Sequence, residues 1–199
     1  RAQAEAATRN VQLLQGMVAQ ECTDDALVYA AAGFRHLARL LYLQTDSPAP
    51  SHRVQDTEWA TYSPATHDLF ARVIPGTYEQ SLDCGSLNGL RDIEDILASH
   101  KATGQFEPSN WRLAQVGDEP AGVILMAHME EQHAYEVVYM GCLPRWRGKG
   151  YGSALLAHGF TLAWAQPVSS ITVSVDEKNT AARNLYHSFG FHEVMRRGV

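Results

Sequence analysis

The stretch Arg147-Gly148-Lys149-Gly150-Tyr151-Gly152 constrains this chain more than any other, because it joins a strand-like run, YEVVYMGCLPRW, to an amphipathic helix opening at Ser153. Glycines at alternate positions let a backbone approach a ligand closely, and the start of the following helix presents unpaired N–H groups and a positive dipole end. Such a turn is a cradle for an anion, phosphate above all. Arg145, Arg147 and Lys149 crowd the same turn, which argues against a merely flexible connection. The spacing is neither the phosphate loop G-x-x-x-x-G-K-[ST] nor the dinucleotide fingerprint G-x-G-x-x-G.

Patterning on either side places this turn inside a mixed α/β domain. Helical periodicity is expected over His67 to Gln80 and over Leu90 to His100, where Leu90, Ile93, Ile96 and Leu97 share a face. Strand-like runs follow at Trp111 to Val116, Gly122 to Met129 and Tyr135 to Met140, separated by the turn signals GDEP and EEQH. After the glycine turn the order is helix, strand, helix, strand: Ser153 to Ala165, Ile171 to Val175, Thr180 to Ser188, and a last run after Gly190. The stretch from 45 to 60 is polar, holds Pro48 and Pro50, and reads as a linker.

The segment before that linker repeats the end of the chain. Aligning Gly33-Phe34 with Gly190-Phe191 without gaps puts Val18 on Val175, Thr23 on Thr180, Tyr29 on Tyr186 and Arg39 on Arg196. The expected organisation is therefore residues 1–44 as the tail of a degenerate first copy, 45–60 as linker, and 61–199 as the second domain, with chance similarity between two strand-helix-strand pieces as the alternative.

Composition narrows the partners. A formal charge of −6 without a block of Lys or Arg disfavours nucleic acid and allows a cationic or neutral small molecule. Cys22, Cys84 and Cys142 are odd in number and far apart, against a disulfide framework or a zinc site, so a reducing, cytoplasmic setting is expected. No run approaches the ~20 apolar residues of a membrane span, and no membrane role is expected. His128, Glu130, Glu131 and His133 occupy a turn at no established ligand spacing, so no metal is expected. Cys142 reads as a buried strand cysteine rather than a nucleophile.

The glycine turn resembles the pyrophosphate loop of the GNAT acetyltransferases, [RQ]-x-x-G-x-[GA], through Arg147, Gly150 and Gly152. Asp176-Glu177-Lys178-Asn179 followed by AARNLYHSFGF is similar to the family's second motif, and the resemblance covers roughly residues 61 to 199. It implies a mixed, largely antiparallel sheet, splayed where acetyl-coenzyme A enters and flanked by helices. It also implies that amides of Arg147, Gly148, Lys149, Gly150, Tyr151, Gly152 and Ser153 hold the pyrophosphate, that Met140, Gly141 and Cys142 meet the pantetheine arm, and that Asn179 lies beside it.

The implied reaction is direct acetyl transfer to an amine of a small molecule or peptide. Glu136 or an ordered water takes the amine's proton, and Tyr186 returns one to the thiolate. Asn179 serves equally as a plain helix cap, Tyr186 lies on the apolar face of its helix as a core tyrosine would, and Glu136 suits a solvated strand. A non-catalytic acyl-coenzyme A binder and a nucleotide-binding module remain alternatives.

Overall fold

The computed structural model describes residues 13–19, 23–48, 50, 57–83 and 90–199. Cys22 and Cys84 lie outside the described residues, as does most of the expected linker. The strands are β1 (Val18–Ala19), β2 (Arg39–Thr45), β3 (Thr57–Thr61), β4 (Trp111–Val116), β5 (Glu119–Met129), β6 (Ala134–Cys142), β7 (Ser170–Asp176) and β8 (His192–Gly198). The helices are α1 (Thr23–Ala31), α2 (His67–Gly76), α3 (Ile93–Lys101), α4 (Tyr151–Trp164) and α5 (Thr180–Ser188).

All eight strands form one sheet in the order β1-β8-β2-β7-β6-β5-β4-β3. Every neighbouring pair is antiparallel except β6 and β7. The crossover between those two is α4, as a parallel connection requires. The mixed, largely antiparallel α/β architecture expected from the sequence is the one observed.

Each face of the sheet carries its own core. Leu155, Leu156, Phe160 and Ala163 of α4 pack with Leu41, Ile124, Val173, Tyr186, Phe189 and Phe191. Gly159 lets α4 lie close on β5, since a Cβ there would stand 2.6 Å from Ile124 Cδ1. On the other face Phe70, Val73 and Ile74 of α2 and Leu97 of α3 cover Trp111, Leu113, Val123 and Leu125. Asp92 caps α3 by accepting from Glu94 N at 2.8 Å, which starts that helix at Ile93 rather than Leu90. Helix α2 stops at Gly76, short of the expected Gln80, and the chain turns there into the site.

Two of the expected linker's ends belong to the sheet. Thr45 closes β2, and Thr57–Thr61 pairs with β4 as an edge strand. An edge strand with one neighbour needs no continuous apolar run, so TEWAT carries no strong strand signal. Strand β2 is not peripheral: it lies between β7 and β8, with Leu41 and Leu43 each 1% exposed.

The Gly33-Phe34 and Gly190-Phe191 corners share their geometry at a separation of 157 residues. Both glycines have positive φ, 85° and 79°. Phe34 N donates to Tyr29 O at 3.0 Å and Phe191 N to Tyr186 O at 3.1 Å. Each Phe ring meets its Tyr edge-on, at 5.1 and 5.5 Å. The same separation relates α1 to α5 residue for residue. It also relates strand registers: Leu40 faces Asp176 and Leu41 faces Val175, while Arg197 faces Ala19 and Gly198 faces Val18. Between β2 and β8, Leu40 faces Arg197, its own counterpart in the alignment.

Candidate active site

The site begins where two strands part. Strands β6 and β7 pair only from Ala134 with Ser170 to Val137 with Val173, and β6 then runs on to Cys142 against β5 alone. The cause is a bulge: Leu125 faces Tyr139 and Met126 faces Val137, leaving Val138 as an extra residue that turns β6 away from β7. The gap is the floor of a cleft of about 510 Å3, bounded by α5 on one side and by the end of α2 and by α3 on the other. Backbone groups of β6 directed toward β7 beyond Val137 have lost that partner and face the cleft.

At the cleft's end stands the glycine turn. A short 3₁₀ turn at Pro144–Trp146 carries the chain from β6 into it. Gly148 and Gly150 have φ of 70° and 89°, conformations a side chain resists, and Gly150 is the N-cap of α4. The first helical bond runs from Ala154 N to Gly150 O, so the N–H groups of Tyr151, Gly152 and Ser153 precede it at the positive end of α4. Gly152 brings α5 near, because a Cβ there would lie 3.3 Å from Leu185 Cδ2.

The GNAT acetyltransferase family model matches residues 78–191, more than half of the chain and both walls of this cleft. The chain belongs to the GNAT family. Mycothiol acetyltransferase from Streptomyces griseus is 31% identical over 137 residues, covering 67% of this chain and 43% of that protein. Among solved structures, a GCN5-related N-acetyltransferase from Sphaerobacter thermophilus has a TM-score of 0.67 at 22% identity, covering 92% of this chain and 56% of that one. A tandem GNAT protein of clavulanic acid biosynthesis has a TM-score of 0.60 at 15% identity, covering 94% of this chain and 59% of that one. The chain thus spans less than half the length of the curated relative and little more than half of either structure.

In this GNAT cleft Met140, Gly141, Cys142, Arg147, Gly148, Gly152, Asn179 and Tyr186 all line the walls. Lys149, Gly150, Tyr151 and Ser153 form the turn just beyond, and Glu136 stands one residue before the lining run of β6. The Arg147 side chain faces the segment after α2. Its guanidinium turns inward, donating to Cys142 O at 3.1 Å, Thr77 O at 2.9 Å and Gln80 O at 3.2 Å, and its N–H donates to Pro144 O. It ties the segment after α2 to the glycine turn. The Tyr151 ring is buried edge-on against Trp146, with Lys149 Nζ 5.2 Å from the centre of that indole. Asn179 caps α5, its Oδ1 accepting from Ala182 N at 3.1 Å while the residue also lines the cleft.

Burial sets the electrostatics. The Tyr186 ring is 5% exposed, and burial, with the charges of Asp83 and Cys142, holds its hydroxyl protonated well above the ordinary phenol range. Burial also pushes the Cys142 thiol up to about 11, which leaves it a poor nucleophile at neutral pH. The Glu136 carboxyl is raised by burial. Tyr139 is raised as well, and its hydroxyl donates to Thr77 Oγ1 at 2.5 Å, since Thr77 gives its own proton to Ile74 O at 2.6 Å.

Several residues of the cleft carried no sequence signal. Tyr78 and Asp83 come from the segment after α2, Arg91 from just before α3, His100 from α3 itself, and Leu13 and Gln15 from the N-terminal segment. None belongs to a motif, and only the sheet topology brings them together. Among the described residues no group of His, Cys, Asp and Glu could hold a metal ion, and no helix is long and apolar enough to cross a membrane.

Proposed function

We propose that the chain binds acetyl-coenzyme A in the splay between β6 and β7 and passes the acetyl group directly to an amine. The carrying observation is the coincidence of two features: strand pairing that stops at Val137 and Val173, and the positive-φ glycine turn that opens α4 beside the gap. An extended acyl arm fits the unpaired strand edge, and a pyrophosphate fits the N–H groups of Gly148 to Ser153. Cys142 and Met140 line the arm's path, and Asn179 flanks it from α5.

In this reading the Glu136 carboxylate takes the amine's proton through a bridging water, because it lies one residue before the cleft-lining run of β6. Backbone N–H groups of β6 beyond the bulge stabilise the oxygen that gathers negative charge. Tyr186, kept protonated by burial, delivers a proton to the departing thiolate. The curated relative acts on mycothiol by name, so mycothiol-related amines are the first acceptors to try.

We propose also that residues 1–44 are the tail of a GNAT-like copy, joined through 45–60 to the acetyl-transferring copy at 61–199. The matched corners and registers support it, and on this account the copies lend each other β2 and β8 across a local two-fold axis through Leu40 and Arg197.

Calorimetric titration with acetyl-coenzyme A tests the cofactor assignment. Gly150→Asp puts a strained side chain and a negative charge at the α4 cap, and binding should be lost while the circular dichroism spectrum is kept. Unchanged affinity would refute the assignment.

A further inference from the structure

The segment after α2 bridges the gap between β6 and β7, and its two ends are held unequally. At its start Thr77 sits on β6: a Cβ on Gly141 would stand 2.7 Å from Thr77 Cβ, and the Tyr139 hydroxyl donates to Thr77 Oγ1 at 2.5 Å. The Arg147 guanidinium adds its bonds to Thr77 O at 2.9 Å and Gln80 O at 3.2 Å. Gln80 then makes a corner with φ 53°, a conformation uncommon outside glycine. Beyond the corner the chain reaches the end of β7, where Asp83 Oδ1 accepts from Asp176 N at 3.2 Å. Among the described residues that one hydrogen bond attaches Ser81, Leu82 and Asp83 to β7. The Ser81 and Asp83 N–H groups bond within the segment, to Tyr78 O at 3.0 Å and to Ser81 Oγ at 3.1 Å.

Both attachment points lie past the end of the ladder between β6 and β7, which stops at Val137 and Val173. Thr77, Tyr78 and residues 80–83 all line the cleft. The segment is thus a strap over the splay, tied firmly on the β6 side and lightly on the β7 side. Two features weigh against the light tie. Burial raises the Asp83 carboxyl above its ordinary range and the Asp176 carboxylate adds to this, against the bond from Asp176 N, so a closed strap confines a charge that an open one returns to water. Leu82 lines the cleft and is still 57% exposed, apolar surface that an occupant of the cleft would cover.

Resting on the acetyl-transfer reading, we propose that residues 77–83 open to admit acetyl-coenzyme A and close over its pantetheine arm, with Arg147 as the fixed anchor and Asp83 as the latch on β7. Asp83 is a positioning residue: it acts through the strap and takes no part in the chemistry. With the arm in place, closure covers Leu82 and favours the closed form further.

Surface plasmon resonance on the immobilised protein reads association and dissociation of acetyl-coenzyme A separately. One hydrogen bond to a carboxylate favours the closed strap by about 10-fold, and its loss takes the free strap from about 10:1 closed to about 1:1. Asp83→Ala should therefore raise the association rate by about 5-fold and the dissociation rate by about 10-fold, so that Kd changes by only about 2-fold. Asp83→Asn keeps an acceptor oxygen and should leave both rates within about 3-fold of wild type. Hydrogen exchange gives a second readout: acetyl-coenzyme A should protect the Ser81 and Asp83 amides of the wild type, and without ligand both should exchange faster in Asp83→Ala. Damage to the site without a latch would raise dissociation and leave association unchanged or slower. That pattern, equal effects of Ala and Asn, or a strap that acetyl-coenzyme A does not protect would overturn the proposal. A folded wild type that binds no acetyl-coenzyme A would instead overturn the reading beneath it.

Discussion

Replacing Arg147 by Met separates two roles that its place in the glycine turn invites. The guanidinium makes three hydrogen bonds, to the carbonyls of Thr77, Gln80 and Cys142, and those to Thr77 and Cys142 are partly buried. A hydrogen bond to a charged group contributes ~1.5 kcal/mol or more when shielded, and the exposed bond to Gln80 contributes little. Arg147→Met keeps the aliphatic stem and removes about 3 kcal/mol, which for a domain of this size lowers the melting temperature by roughly 6–12 °C. Differential scanning fluorimetry reads that shift directly. Thr77 also holds Tyr139, so acetyl-coenzyme A affinity should fall too, and by a smaller factor at low temperature, where the turn stays folded. A guanidinium that instead contacted phosphate would show the opposite pattern: unchanged melting and a large, salt-sensitive loss of affinity. That pattern would refute the buttressing role.

Tyr186→Phe should lower kcat by ~10²-fold with little change in acetyl-coenzyme A affinity, since the ring stays packed and only the acidic proton is lost; near-normal turnover would point to water as the proton source. Leu41→Ala opens a cavity where the side chain is 1% exposed, and should cost about 3 kcal/mol in urea titration; a change below ~1 kcal/mol would show that β2 is dispensable to the sheet. For Glu136 the sign follows from a folded-state pKa raised above the unfolded ~4.3. The folded protein then holds the proton more tightly, so this residue's contribution is most favourable below pH ~4 and is lost as pH rises through the folded-state pKa. Glu136→Gln should therefore raise the melting temperature at pH 7, lose that gain toward pH 4, and lower kcat if the carboxylate is the base; a lower melting temperature at pH 7 contradicts the burial argument.

Local chemistry was legible where it acts locally. Helix α5 runs from Thr180 to Ser188 as its pattern predicts, because Asn179 caps it and Gly190, at φ 79°, ends it. The glycine turn was equally plain, since Gly148 and Gly150 hold backbone angles that few other residues take. What depends on distant partners was not. Strand β2 looks like part of a separate segment in the sequence, yet its seat between β7 and β8 is set by pairing across more than half of the chain. The inward turn of Arg147 depends on where α2 ends, and Asp83 is held in the site by a bond from Asp176 N, 93 residues away in the chain. The extra residue Val138 that opens the splay is an ordinary valine in an unbroken apolar run.

Acetyl transfer in the splay between β6 and β7 is read out by mass spectrometry of candidate acceptors. The protein is incubated with acetyl-coenzyme A and a panel of amino acids, aminoacyl amides, mycothiol-related amines and polyamines, with Gly150→Asp run in parallel. One class should gain a single acetyl group on nitrogen, free coenzyme A should appear in equal amount, and the variant should produce neither. An unmodified panel alongside tight acetyl-coenzyme A binding would contradict the claim and leave a non-catalytic binder in its place.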